Sequence, residues 1–253
     1  MPTLETDPRR EPSAAADTSD AWPPVRASVL RDALAVGLAT GAYGLSFGAI
    51  SSAVGLSVMQ TVALSALMFT GASQFALVGV LGAGGSAVSA ALTATLLGTR
   101  NAFYGLGLAP RLQARGLSRF AAAHLVIDES SAMALLRDDD RAGRLAFWST
   151  GLSVFVWWNL ASVLGALGAE ALSDPRVLGL DAAVPAAFLA LLAPRMRGRE
   201  PWAVALGAAA VALALTPVTA PGIPVLAAAG VAIVMGLRAP RWPRRPGQDG
   251  GAR

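Results

Sequence analysis

Gly71-Ala72-Ser73-Gln74-Phe75 and Gly98-Thr99-Arg100-Asn101-Ala102-Phe103-Tyr104 interrupt two apolar runs, 58 to 82 and 87 to 110, near their middles. Each run is long enough to enter a lipid bilayer, since a helical crossing takes about 20 residues. An arginine at the centre of a membrane helix costs roughly 2.5 to 3.5 kcal/mol on insertion scales, so a chain that keeps one there points to its use. The two interruptions are the expected place of a substrate site.

The rest of the chain supplies the setting. Its 253 residues are 54% hydrophobic and only 14% charged, with a mean hydropathy of +0.54, which is too little charge to cover a soluble globule. Further apolar runs fall at about 33 to 54, 145 to 169, 182 to 194, 202 to 217 and 223 to 237. The composition predicts an all-α, polytopic transmembrane helical bundle of about 6 to 8 spans, with broken or re-entrant segments within residues 58 to 136. The last three runs are short, so tilted helices, extension into the flanks or half-helices are expected there.

All 20 basic residues are arginine, and the net charge is +4. In a soluble protein that excess would suggest nucleic acid. Here the arginines cluster at the ends of apolar segments, the positive-inside pattern, and nucleic acid is not an expected partner. Arg26 and Arg31, the group from Arg111 to Arg144, and Arg195, Arg197 and Arg199 are placed on the cytoplasmic side. Residues 1 to 27 read as a disordered cytoplasmic N-terminal tail, 28 to 237 as the transmembrane transport domain, and 238 to 253, with five arginines and three prolines, as a flexible basic tail. The expected location is the cytoplasmic (inner) membrane, with both termini inside.

Orientation exposes a fault in parity. If 33 to 54 runs outward, the chain must return inside by Arg111 through an odd number of crossings, yet two apolar runs intervene. One of them is expected to be broken or re-entrant, and both polar interruptions fall on these runs. Residues 118 to 136 raise the same problem, because Arg119 and Arg137 put both ends inside. That segment is expected to be interfacial, re-entrant or a hairpin dipping into the protein.

Ser73 and Gln74 offer a hydroxyl and an amide at membrane depth, and Gly71 frees backbone beside them. Against a binding role stands plain interhelical hydrogen bonding, worth about 0.6 kcal/mol per contact. Arg100 with Asn101 is the sharper signal, since a guanidinium holds a carboxylate through two parallel hydrogen bonds. The alternative is an ion pair with Asp128 or Glu129. His124 and Asp128 are four apart, so on a helix they would share a face as a proton relay near neutral pH, although a solvated interfacial helix looks similar. Asp138, Asp139 and Asp140 read as a hydrated loop. No cysteine and a single histidine leave no thiolate or histidine-rich metal site, no phosphate loop or catalytic set is present, and neither an enzymatic activity nor a cofactor is expected.

Phe69-Thr70-Gly71-Ala72-Ser73-Gln74-Phe75-Ala76, then Thr99-Arg100-Asn101-Ala102-Phe103-Tyr104-Gly105-Leu106, then Asp128-Glu129-Ser130-Ser131-Ala132, in this order and spacing, resembles the AzlC family of branched-chain amino acid permeases. Tyr43-Gly44-Leu45-Ser46-Phe47-Gly48 is similar to that family's glycine motif in the first span, with Tyr43 in place of the usual Pro-Phe flavour. The resemblance covers about residues 28 to 237. It implies the large subunit of a two-component exporter that works with a small AzlD-like membrane subunit and moves leucine, isoleucine, valine and sometimes methionine out of the cell. Gly71, Ser73, Gln74, Arg100 and Asn101 would then bind substrate, and His124, Asp128 and Glu129 would couple or gate transport. The competing readings are a membrane scaffold without its own substrate site and an uptake permease for another small zwitterion.

Overall fold

The computed structural model describes residues 22–171, 189, 192–193 and 196–238. Most of the run at 182 to 194, most of the N-terminal tail and nearly all of the C-terminal tail lie outside them. Among the described residues the regular structure is entirely helical. The helices are α1 (Trp22–Ala53), α2 (Val58–Leu67), α3 (Ala72–Gly82), α4 (Ala87–Leu112), α5 (Leu117–His124), α6 (Asp128–Leu135), α7 (Asp140–Glu170), α8 (Arg199–Leu215) and α9 (Ile223–Arg238). By length and composition α1 and α7 are each sufficient to cross a membrane. Helix α1 starts 11 residues ahead of its apolar run, because Pro23 and Pro24 sit in the first turn, where a missing N–H leaves nothing unpaired.

The chain divides into two compact units, residues 1–42 with 103–158, and 43–102 with 159–253. In the first unit, Gly37 lies against Ser153 and Gly41 against Trp157, so this half of α1 and α7 run in the same direction at close range. Arg141 covers the Trp22 ring at 3.8 Å, and Arg137 pairs with Asp32 at 2.8 Å. The arginine-rich flanks of α1 and α7 therefore sit at one end of the unit, as the charge pattern requires.

Helices α5 and α6 form a hairpin that begins and finishes at that same end. Its tip reaches inward: a Cβ on Gly151 would lie 3.0 Å from Leu125 Cβ, and one on Gly105 would lie 3.9 Å from Val126. Ser130 ties the break together, accepting from Ile127 N at 3.2 Å and donating to Leu125 O at 2.6 Å. Arg111, at the end of α4, secures the base. Its Nε donates to Asp140 at 2.9 Å, one terminal nitrogen donates to Ala134 O and Arg137 O, and the other to Asp138 O at 3.4 Å. These carbonyls at the end of α6 have no partner within their own helix. Arg111→Ala leaves them and Asp140 without the guanidinium, a loss of about 1 to 3 kcal/mol. The expected result is a melting temperature in detergent lower by several degrees, with the exposed Arg115→Ala unchanged.

The second unit holds a hairpin built on the same plan. Ser57 and Gln60 cap α2 reciprocally, Ser57 Oγ accepting from Gln60 N at 3.2 Å and Ser57 N donating to Gln60 Oε1 at 2.9 Å. Helices α2 and α3 have 10 and 11 residues, each about 15 Å long and well short of a crossing. Phe47 meets Phe75 edge-on at 5.9 Å, and Val54 lies against Gly82, so α3 runs parallel to the end of α1. The hairpin thus starts and ends beside the end of α1. Gly48 packs on Ser162 and Ala166, and Gly165 on Leu45, which continues the close contact of α1 with α7 inside this unit. Helices α8 and α9 complete it, with Gly207 facing Val231.

Candidate functional site

A break at 68–71 separates α2 from α3, and its last residue, Gly71, takes φ +48°, a region that disfavours a side chain. The break puts Ser73 and Gln74 in the first turn of α3, where the helix dipole favours negative charge and their N–H groups donate to Thr70 O at 3.4 Å and Gly71 O at 3.0 Å. Gln74 is fully buried and reaches back across the gap, its Nε2 donating to Leu64 O at 3.1 Å and Ser65 O at 3.3 Å. Its amide nitrogen holds the hairpin tip closed. Its Oε1 and the Ser73 hydroxyl are buried with no hydrogen-bond partner among the described residues, and so is the Thr70 hydroxyl at the break.

The second interruption behaves differently. Helix α4 passes unbroken through Gly98-Thr99-Arg100-Asn101, so of the two interruptions only the one at Gly71 coincides with a helix break. Thr99 satisfies its hydroxyl within the helix, donating to Leu96 O at 2.7 Å. Gly98 is nevertheless where α3 meets α4: a Cβ there would lie 3.5 Å from Ser73 Oγ. Arg100 and Asn101 follow within one turn, both half-buried, and Asn101 Oδ1 is buried without a partner. The structure therefore brings Gly71, Ser73 and Gln74 beside the turn of α4 that carries Arg100 and Asn101.

His124, Asp128 and Glu129 belong to the other unit. His124 ends α5, exposed and edge-on to Phe155 at 5.7 Å, whereas Asp128 and Glu129 open α6, half-buried. The shared helical face expected for His124 and Asp128 does not exist, because residues 125–127 interrupt the helix between them. Placed in the first turn of α6, the two carboxylates complement its dipole. Ser131 and Thr150 are buried in this unit with unpartnered hydroxyls.

Sequence reasoning missed two groups. Ser51, Thr61 and Thr93 are fully buried polar residues lining the second unit, and small hydroxyls in apolar runs give no signal of the helix they face. The turn 216–222 between α8 and α9 closes a cavity against α3 and α4, a role that its prolines and glycine do not announce in the sequence.

A family model described as AzlC protein matches residues 35–172. The inner membrane protein YgaZ of Escherichia coli (strain K12) is 29% identical over 215 residues, covering 79% of this chain and 84% of that protein. An uncharacterized membrane protein of Archaeoglobus fulgidus is 30% identical over 190 residues, covering 73% of this chain and 83% of that protein. No solved structure shows significant similarity to the chain.

Proposed function

The chain belongs to the AzlC family, and from that premise we propose that it is a secondary transporter exporting branched-chain, aliphatic amino acids across the cytoplasmic membrane with a small AzlD-like membrane subunit. One observation carries the reading: at the tip of the α2–α3 hairpin, Ser73 Oγ and Gln74 Oε1 are buried and unpartnered beside the turn that holds Arg100. Buried polar atoms without partners call for an explanation, and a bound zwitterion supplies one. Its carboxylate takes two hydrogen bonds from Arg100 and one from the Ser73 hydroxyl at the positive end of α3, while its ammonium donates to Gln74 Oε1 and Asn101 Oδ1, with the backbone at Gly71 completing the cradle. Asp128 and Glu129, with His124, act in coupling or gating from the other unit. Half-helices that end inside the membrane are how transporters form sites for small polar substrates.

The location is supported by the two relatives, one named an inner membrane protein and the other a membrane protein. The engaged Gln74 amide nitrogen favours a second reading, in which the polar residues serve cohesion alone and the chain is a scaffold. Cells carrying the chain together with a small four-span partner are expected to release leucine, isoleucine and valine after feeding with dipeptides, and cells lacking it to accumulate them. Equal internal and external pools of every aliphatic amino acid in the two strains would sink the transport reading and leave the scaffold.

A further inference from the structure

A cavity of about 570 Å³ lies within the second unit, between one face of α3, one face of α4 and the α8–α9 turn. Ala76, Val80 and Leu97 line one side, and Thr219, Pro221 and Val225 the other. Ser73 stands one turn before Ala76 on the same face of α3, and Asn101 one turn beyond Leu97 on the same face of α4. The cavity therefore lies one helical turn from Ser73 and Asn101, on the faces of α3 and α4 that carry them.

Its polar-looking residues are apolar in effect. The hydroxyls of Thr93, Thr216 and Thr219 donate to Ser89 O, Ala212 O and Leu215 O at 2.9, 2.7 and 2.8 Å, each within its own helix or turn. With the donors spent inside the chain, no hydroxyl proton is left to greet a polar group. The turn is fixed to the start of α4 by Ser89 Oγ donating to Pro221 O at 3.1 Å. Its volume matches pockets that bury ligands of about drug size, well beyond the isobutyl group of leucine. The wall formed by residues 216–225 lies outside the stretch matched by the family model.

We propose that the α8–α9 turn is the selectivity wall for the side chain of the transported amino acid, and that the cavity it closes accepts large apolar side chains, aromatic ones included. The inference rests on the head-group site proposed above. Leucine and its smaller analogues leave part of the cavity unfilled, so binding strengthens with side-chain size by about fourfold per added methylene.

The test uses the purified full-length chain and the rise in melting temperature produced by alanine, valine, leucine, methionine and phenylalanine. Phenylalanine is expected to bind at least as tightly as leucine. Thr219→Phe, which fills the cavity from its half-buried rim, is expected to weaken phenylalanine and methionine by about tenfold or more and to leave alanine within about twofold. Leu97→Ala widens the cavity and is expected to favour phenylalanine further; it decides the matter alone if Thr219→Phe does not fold. An unchanged ranking in both variants, or exclusion of phenylalanine by the parent chain, overturns the inference while the head-group site stands. If no amino acid shifts any of the three proteins, the head-group site falls with it. Copurifying phospholipid that Thr219→Phe displaces, with the amino acid ranking unmoved, assigns the cavity to an acyl chain instead and also overturns it.

Discussion

Arg100→Ala is expected to reduce leucine efflux from preloaded proteoliposomes to about a hundredth of the parent rate or below. Removing one partner of a desolvated, hydrogen-bonded charge pair costs about 2 to 5 kcal/mol, or roughly 30- to 5,000-fold. Arg100→Lys keeps the charge but loses the planar fork, so it should recover only a small part of the flux. Because α4 is continuous here and both alanine and lysine are good helix formers, neither change should break the helix. Recovery of folded, monodisperse protein is the check. Undiminished flux in the alanine variant would remove Arg100 from the site.

Gly48→Ala is expected to leave little folded protein. A Cβ at this position would overlap the carbonyl oxygen of Ser162 and crowd the backbone of Ala166, and neither is a flexible side-chain end that can step aside. Overpacking at side-chain contacts typically costs about 1 to 3 kcal/mol, and here the helices themselves must separate. Gly168→Ala is the matched control on α7. Nothing lies within 4 Å of its added methyl, so it should be neutral or gain up to about 1 kcal/mol from helix propensity. Similar yields of monodisperse protein from the two variants would contradict this account of how α1 meets α7.

Much of this architecture is legible from charge and hydropathy alone. The parity fault pointed to a broken run within 58 to 110, and there the α2–α3 hairpin starts and ends beside the end of α1. The arginines flanking 118 to 136 likewise correspond to a hairpin with both ends together. Gly71 marked the first break because a helix needs a backbone change there that glycine alone makes cheaply. Thr99, Arg100 and Asn101 were misleading as a break because polarity and helicity are separate properties: a guanidinium raises the cost of insertion without removing a backbone hydrogen bond. The break at Leu125, Val126 and Ile127 carries no glycine or proline, and what sustains it is the Ser130 hydroxyl. Of the candidate site, the sequence offered the residues but not their division between two units. The cavity wall at 216–225 was invisible because its partners on α3 and α4 are more than a hundred residues earlier.

The contact between α1 and α7 bears on how the chain is made. The glycine face of α1 is complete once residue 48 has left the ribosome, but the backbone it must meet, at Ser162 and Ala166, is synthesised on the order of 6 to 24 s later at about 5 to 20 residues per second. Throughout that interval α1 presents an unfilled groove that suits any small-residue helix. The nascent chain is therefore most exposed to mispairing, and most dependent on insertase or chaperone shelter, before α7 arrives.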